Sequence, residues 1–271
     1  MGRLKEAALR RLLADAGSVV VAFSGGVDSA YLAWVAHTTL GDRALAVTGD
    51  SPSYPSRHRD LALRVARHVG LRHEFIETHE LADPAYRANG ADRCYHCKHE
   101  LHGRLTALAR ARGFEVVVDG NNADDRGDYR PGREAAREFG VRSPLDEVGL
   151  TKAEIRELSR EAGLPTWDEP ASACLSSRLP YHTEVTPERL RAVECAEEAL
   201  RALGFRVCRV RHHGDLARIE LGRDEMVRAL DPEVNAAIVR DLKAVGYRFI
   251  ALDLQGYRLG SLNEPLRLQP V

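Results

Sequence analysis

Residues 24–29, Ser-Gly-Gly-Val-Asp-Ser, put two hydroxyls, two glycines and a carboxylate where an apolar run meets a helical pattern. Adjacent glycines let the main chain approach a phosphate with no Cβ in the way. The N–H groups of a helix start, with the helix's positive end behind them, attract anions. Ser24, Gly25, Gly26, Val27, Asp28 and Ser29 are therefore the candidate nucleotide contacts, with Asp28 the candidate catalytic carboxylate. The Gly-Lys-Ser/Thr ending of a Walker A loop is missing, which disfavours γ-phosphate transfer of that style.

Sulfur is the second source of chemistry. Cys94 and Cys97 form Cys-Tyr-His-Cys, and Cys174 lies in Ala-Cys-Leu-Ser-Ser-Arg within a proline-interrupted stretch. All three are expected in polar, loop-like surroundings, where a thiolate is easier to stabilise. Cys195 and Cys208 fall in apolar patterns and read as small buried hydrophobes. A C-x-x-C pair can be redox-active, half a zinc site or half an iron–sulfur site. Zinc wants four ligands, which the three cysteines with His96 or His99 could supply. Three thiolates suit a [4Fe–4S] cluster with one open iron. The residues alone leave zinc and iron–sulfur open.

Short apolar runs alternating with helical periodicity must position these groups. Leu4, Ala8, Leu9, Leu12 and Leu13 predict a helix over 3–15, and Val19 to Phe23 a buried strand. Strands are predicted at 44–48, 73–76 and 115–119, with helices at 59–69 and 104–112. Such βαβ units imply an α/β fold, a parallel sheet with helices on both faces. Ligands sit beyond the carboxyl ends of such strands, which adds Ser51 and Gly120 to the candidate nucleotide contacts. Thr151 caps a helix over 151–162, with Glu154 completing a capping box. After Pro165 the pattern changes to a helix from Pro187 to about Leu203, strands at 206–212 and 216–221, a helix at 232–245 and a last strand at 247–254. We expect three parts: a nucleotide domain over 1–165, a cysteine-bearing linker over 166–185, and a small α+β substrate or oligomerisation domain over 186–271.

Composition excludes several classes. The 271 residues are 44% apolar and 29% charged with net charge −1, which leaves no global electrostatic footprint for nucleic acid. No apolar run reaches membrane-spanning length, and the start lacks a signal-peptide hydrophobic region. Five cysteines without a secretion signal point to reduced thiols and a cytoplasmic protein. No nucleic acid and no membrane partner is expected.

The strand followed by Ser-Gly-Gly-Val-Asp-Ser resembles the PP-loop of the ATP pyrophosphatases, which bind the β,γ-phosphates, cleave between the α- and β-phosphates and adenylate a carbonyl or carboxyl oxygen. Arg-Cys-Tyr-His-Cys-Lys at 93–98, Asp-Gly-Asn-Asn-Ala-Asp-Asp at 119–125 and Arg-Pro-Gly at 130–132 narrow the resemblance. Ser-Pro-Leu at 143–145, Ala-Cys-Leu-Ser-Ser-Arg at 173–178 and Leu-Asp-Leu-Gln-Gly-Tyr-Arg at 252–258 extend it along nearly the whole chain. Together they are similar to the LarE-type ATP-dependent sacrificial sulfur transferases, which act in making the nickel-pincer nucleotide cofactor of lactate racemase.

That resemblance implies adenylation of a carboxylate of pyridinium-3,5-biscarboxylic acid mononucleotide and its conversion to a thiocarboxylate, with ATP and Mg²⁺ as cofactors and Asp28 near the metal. In one version of the family the cysteine matching Cys174 gives up its own sulfur. In the other, three cysteines hold a [4Fe–4S] cluster; with Cys94 and Cys97 present beside Cys174, the resemblance implies the cluster version. A mononucleotide substrate needs cations in the second domain. Arg209 and Arg211, two apart on one predicted strand, would supply them, joined by Arg178 and Glu220; the alternative is an exposed charged hairpin face. Lys98 and Lys152, two of only four lysines, fall beside motif segments. The resemblance also implies a homo-oligomer. The competing readings are a tRNA thiolase or amide ligase of the PP-loop group, and a zinc-stabilised ATP-sensing module without turnover.

Overall fold

The computed structural model describes residues 1–127, 131–170, 173–258 and 261. The chain forms two compact units, one of Met1–Asp83 with Asp92–Glu169, the other of Pro84–Ala91 with Pro170–Val271.

The first unit opens with α1 (Gly2–Ala16), β1 (Val19–Ala22), α2 (Val27–Leu40), β2 (Ala44–Asp50), α3 (Ser56–Val69) and β3 (His73–Glu77). A short α4 (Pro84–Arg87) belongs to the second unit. The first unit resumes with α5 (Arg93–Arg112), β4 (Val116–Val118), α6 (Gly132–Glu138), α7 (Pro144–Glu147) and α8 (Lys152–Glu161).

Its four strands lie in the order β3-β2-β1-β4, all parallel, with Val20 opposite Leu45 on one side and Val117 on the other. The valines of β1 alternate between layers. Val19 and Val21 join Leu9, Leu13, Tyr31, Leu32, Leu61 and Ile155 on one face; Val20 joins Leu45, Val117, Leu105, Ala109 and Ala136 on the other. A strand buried on both faces reads as an unbroken apolar run, which is why its pattern is uniform rather than alternating. The expected α/β sheet with helices on both faces is thus observed.

Helix α5 differs from expectation. It begins at Arg93, not near residue 104, so Cys94 and Cys97 occupy its first turns rather than a loop. Only Arg93, His102, Leu105 and Ala109 of this helix are buried, so its first half carries no apolar stripe to read. Gly103, inside the helix, makes a close contact: a Cβ there would lie 3.3 Å from the Phe139 ring.

In the second unit, a 3₁₀ turn over Leu175–Arg178 precedes α9 (Pro187–Ala202), β5 (Cys208–His213), β6 (Leu216–Leu221), α10 (Pro232–Val245) and β7 (Phe249–Leu252). β5 and β6 form the expected hairpin around Gly214, and β7 adds to β6 in parallel. Leu200, Phe205, Val210, Ile219 and Leu242 fill the core between sheet and helices. Thr186 and Asp231 cap α9 and α10, each followed by proline at the first helical position, where its missing N–H costs nothing. No helix among the described residues is long and apolar enough to cross a membrane.

Candidate functional site

All four strands of the first unit end on one edge, so the segments after β1, β2 and β4 meet there. Gly25 has φ +71°, and a Cβ on it would lie 2.9 Å from the Ala62 backbone nitrogen, so the turn demands glycine. Gly26 is the N-cap of α2 with extended backbone, which opens the helix's first N–H groups toward the loop. Ser24 and Ser29 close the loop on itself: their hydroxyls are 3.0 Å apart, and the Ser24 N–H donates to Ser29 Oγ.

Neighbouring segments brace this turn. The Tyr54 hydroxyl donates to the Ser24 carbonyl (3.0 Å) and Thr48 Oγ1 to the Phe23 carbonyl (2.7 Å). Gly120 lets the segment after β4 press on α2, since a Cβ there would lie 3.0 Å from the Ser29 nitrogen. Val27 is buried beneath the loop and anchors it to the core.

Asp28, in the first turn of α2, is ion-paired with Lys152 Nζ at 2.5 Å and faces Asn122 Nδ2 at 3.4 Å. Lys152 is placed by the helix start it opens: Thr151 and Glu154 form the expected capping box, and the Lys152 N–H donates to Asp124. Asp119 is buried at the end of β4, held by Ser143 and Asn121. Burial lifts its carboxyl above the ordinary range, while Ser143 and the nearby charge of Lys98 oppose that rise. Ser51 donates to the buried carboxylate of Glu80, as does Ser53. Glu80 was missed in the sequence because nothing local marks a glutamate 29 residues away as the partner of these serines.

Cys94 is exposed and Cys97 half-buried on α5, and none of the five cysteines is in a disulfide. Among the described residues, no three His, Cys, Asp or Glu side chains gather into a metal-holding group.

In the second unit, Cys174 is half-buried and immediately precedes the 3₁₀ turn. Its carbonyl accepts from the Ser177 hydroxyl (2.7 Å) and from Arg178 Nη1 (2.9 Å). Arg178 is 1% exposed and paired with Glu197 at 2.8 Å, which holds the Glu197 carboxyl down at about 2. Arg211 is buried, paired with Glu220 (2.7 Å), and donates to the Ser177 carbonyl. Arg209 sits opposite Glu220 in register, with its guanidinium 5.1 Å from the Tyr257 ring centre. The hairpin's arginine face is therefore buried, not the exposed charged face that the spacing also allowed. Among the described residues the second unit buries three arginines, 178, 209 and 211, against two glutamates, 197 and 220. That leaves an excess of positive charge suited to an anion. Glu197 carried no signal in the sequence; it sits on an amphipathic helix, and only folding brings it under Arg178.

Strand, glycine turn and helix meet at the sheet edge in the manner of the PP-loop ATP pyrophosphatases, the class that fold and site together define. The asparagine synthase family model matches residues 2–126. The chain is 44% identical over 258 residues to an uncharacterized protein of Synechocystis sp., slr1717, covering 95% of this chain and 96% of that one. It is 38% identical over 263 residues to the pyridinium-3,5-bisthiocarboxylic acid mononucleotide synthase of Lactiplantibacillus plantarum, covering 97% and 95% of the two chains. A solved NMN synthetase from Francisella tularensis shares 22% identity with a TM-score of 0.48, over 64% of this chain and 76% of that one. The chain belongs to the LarE-type family of ATP-dependent sulfur transferases within the PP-loop superfamily. It is an ATP-dependent enzyme of the kind that forms AMP and pyrophosphate.

Proposed function

We propose that this enzyme adenylates a carboxylate of pyridinium-3,5-biscarboxylic acid mononucleotide and converts the acyl-adenylate to a thiocarboxylate, a step in making the nickel-pincer nucleotide cofactor. A carboxylate is a poor electrophile because its charge is delocalised and its leaving group would be oxide. Attack of its oxygen on the α-phosphorus of ATP expels pyrophosphate and installs AMP as the leaving group. Sulfur then attacks the acyl carbon, the C–O bond to AMP breaks, and a thiocarboxylate results.

The glycine turn with Ser24, Gly25, Gly26, Val27 and Ser29 is suited to cradle the β,γ-phosphates, with Ser51 and Gly120 at its margins. Asp28 would hold Mg²⁺ together with phosphate oxygens, a ligand set of the kind Mg²⁺ prefers. Lys152 is long enough to leave Asp28 for the triphosphate. Arg209 and Arg211 supply the planar cations for the mononucleotide's phosphate, with Arg178 and Glu220 fixing their surroundings.

Cys94, Cys97 and Cys174, none of them in a disulfide, have the donor chemistry of a [4Fe–4S] site. Such a cluster would supply the transferred sulfur at its open iron. The second reading keeps the sacrificial route, in which Cys174 loses its own sulfur and becomes dehydroalanine. The observation that carries the proposal is the union in one chain of the phosphate-cradling turn and the free, half-buried Cys174, held by its carbonyl rather than through its sulfur.

The test is iron and sulfide quantification after anaerobic reconstitution, with intact mass before and after one reaction cycle. The cluster reading expects about one [4Fe–4S] per chain and unchanged mass over repeated turnovers with added sulfide. Loss of the mass of H₂S at Cys174 supports the sacrificial route. Stoichiometric zinc without iron, and no pyrophosphate release with the mononucleotide, would overturn the proposal in favour of a binding module. A homo-oligomer is part of the same reading, and sedimentation tests it.

A further inference from the structure

The chain leaves the first unit at Asp83, spends Pro84–Ala91 in the second, and returns at Asp92. This detour carries two buried polar side chains, and both are spent on the segment that bears Cys174. Tyr86 is 1% exposed, and its hydroxyl lies 2.6 Å from Ser176 Oγ, itself fully buried two residues after Cys174. Asn89 is 0% exposed and donates its side-chain amide to both the Pro180 carbonyl (2.8 Å) and the Thr183 carbonyl (2.9 Å). Main-chain bonds run alongside: His182 N–H donates to the Asn89 carbonyl and Val185 N–H to that of Arg87.

Asn89 pays for this with φ +55°, a conformation side chains other than Asn and Asp rarely adopt. Buried hydroxyls and amides are costly unless paired, so these contacts constrain the backbone on either side of them. The turn after Cys174 is thus held from three directions: by Tyr86 at Ser176, by Arg178 at the Cys174 carbonyl, and by Arg211 at the Ser177 carbonyl.

We propose that residues 84–91 are a strap that sets the orientation of Cys174 for sulfur transfer, with Tyr86 and Asn89 as positioning residues that touch no substrate. Its bearing on sulfur transfer rests on the proposed role of Cys174. The strap explains why the chain makes the detour at all: eight residues inserted between two stretches of the first unit fold with the second, where they fix the loop that carries Cys174. A displacement of about 1 Å in a reacting group costs on the order of 100-fold in rate, so one lost bond at Ser176 is enough to register.

The experiment uses the full-length chain with Tyr86→Phe, which removes one hydroxyl, and Asn89→Gly, which keeps the positive φ but loses both amide bonds. Mononucleotide-dependent pyrophosphate release is expected to stay within about twofold of the parent, while thiocarboxylate formation falls about tenfold or more. On protein without reconstituted cluster, the pH profile of Cys174 alkylation by iodoacetamide, read by peptide mass spectrometry, should shift in both variants. Tyr86→Phe and Ser176→Ala should be non-additive when combined, because they remove the same bond. An unchanged alkylation profile in Tyr86→Phe overturns the strap, and so does an equal loss of both half-reactions together with a lowered Tm. The alkylation arm needs neither ATP nor mononucleotide. A profile shifted in the variants, with a parent enzyme that forms no thiocarboxylate, would therefore sink the proposed activity and leave the strap standing.

Discussion

Lys152 reaches Asp28 across 124 residues of sequence to make a 2.5 Å ion pair at the mouth of the glycine turn. Two elements meet in that contact, the first turn of α2 and the first residue of α8. Asp28→Ala is expected to lower pyrophosphate release roughly 100-fold or more, the scale of losing one preorganised charge at a reacting centre. Circular dichroism should remain that of the parent, since the pair is partly exposed and contributes little to stability. Undiminished release would remove Asp28 from the site.

Gly25→Ala tests the turn itself. The substitution forces a side chain into positive φ and onto the Ala62 backbone, which cannot swing aside. A cost of about 1–3 kcal/mol is expected from the backbone strain alone. Urea melts at neutral pH would read it, together with weakened ATP binding; a variant as stable as the parent would mean that the turn relaxes freely.

His102 gives a pH dependence of calculable sign. It is fully buried in α5 with neither ring nitrogen partnered among the described residues, and burial pushes its pKa down to about 3. In the unfolded chain it titrates near 6.5, so between those values the unfolded state binds the extra proton and stability falls as pH falls. The slope should approach about 1.4 kcal/mol per pH unit for this one group. His102→Met should remove that share of the loss between pH 7 and pH 5, and parallel pH curves for the two proteins would refute the assignment.

Glu197 works the other way. Its folded pKa, about 2, lies below the unfolded one, so its stabilisation is complete above the unfolded value and is lost as pH falls toward 2. Glu197→Gln leaves Arg178 buried beside a neutral partner and is expected to cost about 3–5 kcal/mol at neutral pH. Thermal melts would show it, and a Tm near the parent's would contradict the burial of this pair.

Cysteine reactivity should follow exposure. Cys208 is buried and its thiol is pushed up to about 11, whereas Cys94 is exposed. Iodoacetamide at pH 8 is expected to label Cys94 early and Cys208 only after denaturant is added. Early modification of Cys208 would show that the second unit's core opens readily.

Much of this was legible from residue order because the signals were local. The valine run before Ser24 could only be a buried strand, and Thr151 with Glu154 announced the start of α8 through a bond spanning three residues. What escaped was carried by partners distant in sequence. The first half of α5 is solvent-facing, so Arg-Cys-Tyr-His-Cys-Lys has no stripe to betray a helix. Nothing in Pro84–Ala91 marks it as part of another unit; contacts far away in sequence, such as Tyr86 at Ser176 and Asn89 at Pro180, reveal that. The hairpin arginines were visible, but their burial beside Glu220 was not, because strand spacing tells which side chains share a face and not what covers it.

The uniform valines of β1 have a consequence for how this unit tolerates change. With both layers apolar, hydrophobicity discriminates poorly between one alignment of the strand and its neighbours. The keying must come from contacts at the strand's end: Gly25 against Ala62, Gly120 against Ser29, and Thr48 on the Phe23 carbonyl. Those contacts belong to the phosphate turn, so the strand can drift in composition while its rim cannot, and damage to the rim would misalign the sheet as well as silence the enzyme.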